Sequence, residues 1–133
     1  EVCNAAVSLS PLSLDEAKAL FRLSKRHELA HIVGNAVCRE GVLSDEKAKA
    51  AFEKESFTAL YRYEAMEKEL ISLSTLFAQA ALPFMPLKGA VIRAYYPAPW
   101  MRNSCDIDIL VKKADVPKAQ TILLQNGYRY FHQ

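Results

Sequence analysis

From Ser44 to Leu82 the chain carries neither glycine nor proline, and an apolar stripe runs along it from Phe52 to Ala80. Phe52, Ala59, Met66, Leu73 and Ala80 recur every seven residues, and Ser56, Tyr63, Leu70 and Phe77 interleave at the same repeat. Seven residues are close to two helical turns, so both series fall on one side of a single long helix. Ser44 and Asp45 supply its start. The stripe is read as the inner face of a packed helical layer. A seam for a partner helix, joining copies into a homo-oligomer, is the alternative.

The preceding residues are also helical. Ser13 with Glu16 three residues on is a capping-box pattern, and Asp15 suits a first turn. A helix from about Leu14 through Lys25 follows, after a loosely held start over residues 1–12. A second helical stretch runs to Glu40, and Gly41 stops it. Periodicity leaves open whether these are one helix or two broken near His27.

Beyond Pro83 the texture changes. Phe84 to Lys88 reads as a short strand, followed by Gly89 and a helix through Tyr96 that Pro97 and Pro99 end. Pro86 lacks an N–H and belongs at a strand end or edge. A strand through Val111 comes next. Asp115 can cap a further helix, with Pro117 in its first turn and Gly127 after its end. Val116, Ala119, Ile122 and Leu123 form its apolar face. Tyr128 to Phe131 begins a third strand. The expected class is α+β, with a helical segment over residues 1–81 and a strand-helix-strand-helix-strand core over residues 82–133.

The chemistry concentrates in Ser104-Cys105-Asp106-Ile107-Asp108-Ile109-Leu110-Val111. In a strand, alternation puts Asp106 and Asp108 on one face and the isoleucines on the other. Paired acids on one face repel unless a positive group lies between them, and a divalent metal with oxygen ligands is the usual remedy. Mg²⁺ is therefore the expected cofactor, with Asp106 and Asp108 as ligands. Upstream, Lys88 and Gly89 make a strand-to-helix bend. Glycine permits close backbone approach, a helix start favours an anion, and Lys88 adds a mobile charge. Arg102 can pair with a phosphate or with one of the acids. An anion cradle beside a metal-binding acid pair suits nucleoside-triphosphate chemistry. Taken alone, each element has a plainer use: Asp-x-Asp in a solvated turn, Lys88 on the surface, Arg102 in a structural ion pair. Trp100 and Tyr95 suit packing better than stacking on a base.

Leu87-Lys88-Gly89, Tyr95-Tyr96-Pro97, Arg102, Asp106-Ile107-Asp108-Ile109-Leu110-Val111 and Gly127-Tyr128 together resemble the uncharacterised nucleotidyltransferases of the DNA polymerase beta-like superfamily. The resemblance is firm over Leu82 to Tyr130 and looser over Leu20 to Val37. It implies a small mixed sheet with the metal-binding acids at the end of its second strand. It implies transfer of a nucleoside monophosphate from a nucleoside triphosphate to an acceptor hydroxyl, with pyrophosphate leaving. Asp106 and Asp108 would then be both catalytic and metal-binding, and Lys88, Gly89 and Arg102 would bind phosphate. Two departures stand out. Ala90 occupies the second small position of the phosphate turn, so its hydroxyl contact is missing. The superfamily's third carboxylate has no counterpart, because Asp115 is the only acid after Asp108. The expectation is a piece of a longer protein whose general base lies elsewhere. A non-catalytic interaction module with a vestigial site is the alternative.

His27-Glu28-Leu29-Ala30-His31 matches H-E-x-x-H, whose histidines share a helix face in zinc hydrolases. Gly34 extends the match, but the position of a third ligand holds Val37. The favoured reading is two histidines on a structural helix.

With 133 residues, 51% hydrophobic and 24% charged, the chain fits one ordinary domain or part of one. A net charge of +2 does not by itself argue for nucleic acid. No apolar run reaches the ~18–20 residues of a membrane span, and no signal-peptide pattern opens the chain. Cys3, Cys38 and Cys105 are too few and too scattered for a disulfide framework, so a reducing, cytoplasmic setting is expected. The nucleoside triphosphate is the expected partner, and its acceptor is open among small molecules, RNA and protein.

Overall fold

The computed structural model describes residues 10–130. The described elements are α1 (Leu14–Arg26), α2 (Ala30–Arg39), α3 (Glu46–Gln79), β1 (Phe84–Pro86), α4 (Gly89–Ile92), β2 (Ile109–Val111) and α5 (Val116–Gln125), with short 3-10 turns around them. A mostly helical chain with one long helix and a two-stranded sheet fits the α+β class, though a complete polymerase beta-like core is not among the described residues. No described helix is long and apolar enough to cross a membrane.

Helix ends follow one chemical rule. Ser13 caps α1: its hydroxyl accepts from the Glu16 N–H, and the Glu16 carboxylate accepts from the Ser13 N–H. Asp45 begins α3 by accepting from the Ala48 N–H at 2.8 Å. The ends of α1, α2, α3 and α5 all close by the paired bonds of a Schellman motif, with a left-handed residue just past the cap. These residues are Glu28, Gly41, Ala81 and Gly127, with φ of 58°, 65°, 49° and 89°. The bonds from Leu29 to the Ser24 carbonyl, Val42 to Val37, Leu82 to Phe77 and Tyr128 to Leu123 complete them. The break near His27 is thus real, and it falls at Glu28.

The chain divides into two compact units, Glu1–Tyr61 and Arg62–Gln133. In the first, Ala17, Val37, Val42, Leu43 and Phe52 form the core. Phe21 meets Phe52 edge to face at 5.0 Å between ring centres. Leu12 joins through a short bridge to Leu43.

In the second unit Leu73, Phe77, Leu82 and Ala119 form the core, and Phe84, Ile107, Ile109, Val111, Ile122 and Leu123 pack on it. The stripe of α3 is an inner face in both units, with Phe52 and Phe77 fully buried. β1 and β2 run antiparallel in the register Phe84↔Val111, Met85↔Leu110, Pro86↔Ile109. Pro86 therefore ends its strand, where a missing N–H costs least.

Three expectations are corrected. The strand through Val111 begins only at Ile109, so Asp106 and Asp108 lie on the segment entering it. The helix after Gly89 is a single α turn continued by a 3-10 turn over Arg93–Tyr95, since Pro97 and Pro99 leave it no room. Tyr128 to Tyr130 form no strand among the described residues; the Tyr128 N–H is taken by the Leu123 carbonyl at the end of α5, and its hydroxyl by Glu69 on α3. Phe131, like His132 and Cys3, lies outside the described residues.

Candidate functional site

The site starts from where the antiparallel ladder runs out. One residue past β1, the Leu87 N–H donates to the Asp108 carbonyl at 2.9 Å. Lys88 follows with φ 45° and ψ −115°, a conformation that side chains with a Cβ resist. The chain turns there into α4. The turn brings the Lys88 ammonium to 3.2 Å from the Asp108 carboxylate. Lys88 is mostly exposed, and Asp108 is about one-third exposed.

Ile107, Ile109 and Val111 face the core, which leaves Asp108 and Leu110 on the opposite side. Asp106 is exposed and borders an open cleft of about 550 Å³. Met66, Leu73, Ile109 and Leu123 make the apolar part of the cleft, and Glu69 and Tyr128 its polar edge. The Tyr128 hydroxyl donates to Glu69, tying the residues after α5 to α3. Burial first, and this carboxylate second, push the Tyr128 phenol up to about 12.

Gly89 is buried, and its lack of a side chain is used by the protein itself. A Cβ there would come within 2.9 Å of the Ser104 Cβ and 3.0 Å of its Oγ. Arg102 donates to the neighbouring Asn103 carbonyl. Among the described residues it forms no ion pair with Asp106 or Asp108, so the plainer alternative of a structural ion pair is not made. Asp115 sits at the start of α5 without a side-chain capping bond.

Sequence reasoning missed Arg93. It is buried, donates to the Gly89 carbonyl and to Ser104, and approaches Glu67. Its one sequence signal is the four-residue spacing from Gly89, which a helical turn brings together.

The oxygen donors suit a hard cation. Mg²⁺ commonly takes one or two carboxylates and completes its shell with water and substrate phosphates. No group of three or more His, Cys, Asp or Glu residues gathers into a metal cage among the described residues. By donor chemistry alone, the carboxylates of Asp106 and Asp108 suit such an ion. The H-E-x-x-H motif fails its own geometric requirement. His27 caps α1, Glu28 has a positive φ, and His31 lies buried in α2, so no single helix carries both histidines.

No curated protein and no solved structure matches the chain. One family model does, and it covers residues 13–133, from the capping serine of α1 through the acid pair and beyond α5. A match over most of the chain shows the family: the chain belongs to the uncharacterised nucleotidyltransferases.

Proposed function

We propose that the protein takes part in Mg²⁺-dependent transfer of a nucleoside monophosphate from a nucleoside triphosphate to an acceptor hydroxyl. Family membership supports the reaction class. The observation that carries the site is the Lys88–Asp108 pair at a backbone bend leading into a helix. It supports a site in which the lysine of a phosphate-binding turn stands beside a carboxylate of the acid pair.

Asp106 and Asp108 are the metal ligands in this proposal, and Lys88, Gly89 and Arg102 contact phosphates. When bound, Mg²⁺ supplies charge neutralisation for the triphosphate and for the pyrophosphate that leaves. The acceptor oxygen bonds to the α-phosphorus, and the bond from that phosphorus to the pyrophosphate oxygen breaks. The hydroxyl proton passes to a base outside the residues named here. Lys88 is long and exposed enough to leave Asp108 and meet a phosphate, and Arg102 presents a planar fork for the same anion. The acceptor is a small molecule, an RNA or a protein.

Titration calorimetry with Mg²⁺ and ATP, GTP, CTP or UTP tests the proposal. Metal-dependent binding to the wild-type protein, lost in Asp106→Asn/Asp108→Asn, is the expected result. Binding that survives the double substitution, or no metal-dependent binding to the wild type, overturns it.

A further inference from the structure

Arg93 is only 6% exposed, and a guanidinium withdrawn this far from water is costly unless its donors are met. They are met from three directions. Nε donates to the Gly89 carbonyl at 3.0 Å. One terminal nitrogen donates to Ser104 Oγ at 3.1 Å. The other lies 3.6 Å from the Glu67 carboxylate on α3. The guanidinium also stands 5.4 Å from the centre of the Tyr63 ring, within cation–π range. Ser104 passes the link on by donating to the Met66 sulfur at 3.7 Å.

These partners are not scattered core groups. Gly89 directly follows Lys88 in the bend, and Ser104 opens the segment that carries Asp106 and Asp108. The same two residues also touch, at a distance that leaves no room for a Cβ on residue 89. A planar fork with several fixed donors can hold two such acceptors at once, which a lysine ammonium on a flexible stem cannot reproduce.

We infer that Arg93 is the positioning residue of the site: it clamps the Lys88–Gly89 bend to the Ser104–Asp108 segment and anchors both on α3. It touches no substrate. The inference depends on the proposed function only for what the clamped segments bind, not for the clamp itself.

The test compares wild type, Arg93→Lys and Ser104→Ala by amide hydrogen exchange without added ligand. The Leu87, Val91 and Ile92 amides report the bend, and those of Ile122 and Leu123 in α5 report global stability. The expected result is exchange about tenfold faster at the bend in both variants, the scale of one lost hydrogen bond to a charged group, with α5 unchanged. Unchanged exchange at the bend overturns the inference. So does equal acceleration in α5, which marks Arg93 as an ordinary stabilising group. Calorimetry with Mg²⁺ and ATP, GTP, CTP or UTP adds a second readout. Where wild type binds, both variants bind about three- to tenfold more weakly, and undiminished binding overturns the inference. If wild type binds none of them, the nucleotidyl-transfer proposal fails, and the exchange data still decide whether Arg93 is a clamp.

Discussion

The ammonium of Lys88 lies 3.2 Å from the carboxylate of Asp108, and the residue before that lysine donates its N–H to the carbonyl of the same aspartate. Side chain and backbone thus hold one point of the acid segment twice. The first contact is exposed and exchangeable; the second belongs to the ladder and is not. Under the proposed function, a cation arriving at Asp108 would compete with Lys88 for the same oxygens while the backbone bond holds the residue in place.

Lys88→Met therefore has opposite effects on two affinities. Mg²⁺ alone binds more tightly, by about two- to fivefold, the scale of an exposed ion pair. The Mg²⁺–nucleotide complex binds more weakly, because a phosphate contact is gone. Manganese titration followed by electron paramagnetic resonance reads the first, and calorimetry the second. Lys88→Gly loses the same contact but also relieves the positive φ, so it is more stable than Lys88→Met by roughly 1 kcal/mol in thermal melts.

Gly89→Ala forces the new methyl against Ser104 Cβ and Oγ. The gain in helix propensity is smaller than the overpacking cost, and the net loss is about 1–3 kcal/mol by chemical denaturation. Adding Ser104→Gly removes both clashing atoms and recovers part of the loss. Because Ser104→Gly also removes an acceptor of Arg93, the comparison is made with Ser104→Gly alone. A Gly89→Ala loss as large on that background as on wild type would show that the strain lies elsewhere.

Tyr128 makes stability sensitive to alkali. Its phenol ionises at about 12 in the folded protein, against an ordinary value of 10.0. Below that ordinary value both states keep the proton. Between the two values the unfolded chain releases it while the folded protein holds it, so this contribution falls as pH rises and is gone above the folded value. Tyr128→Phe removes this share of the slope. Urea denaturation of both proteins across that range checks it, and identical slopes would exclude the effect.

Phe52 and Phe57 stand five positions apart on α3 with opposite exposures, 0% and 71%. Phe52→Ala costs about 3–5 kcal/mol, because it opens a cavity against Phe21 and Gly34. Phe57→Ser changes stability by no more than about 0.5 kcal/mol. Equal losses in the two melts would contradict the inner face assigned to the stripe.

Local chemistry alone made much of this fold legible. The capping box at Ser13, the stops at Gly41 and Gly127 and the buried stripe of α3 all depend on near neighbours in sequence, and so does the place of Pro86 at a strand end. The stops at Glu28 and Ala81 were not legible, because neither residue favours the left-handed conformation it adopts. The packing beyond α1 and α3 imposes it, and at Glu28 it also splits the histidine motif.

The amino-acid order by itself determined which residues the candidate site can draw on: two aspartates two residues apart, and a lysine–glycine pair upstream. Tertiary structure alone decided how they meet. It assigned Asp108 to Lys88 and Asp106 to the rim of a cleft, and it buried Arg93 between the bend and the acid segment. The physical reason is range. Caps and helical periodicity act over a few bonds, whereas a guanidinium finds Ser104 and Glu67 only after the sheet and the long helix have brought distant segments together.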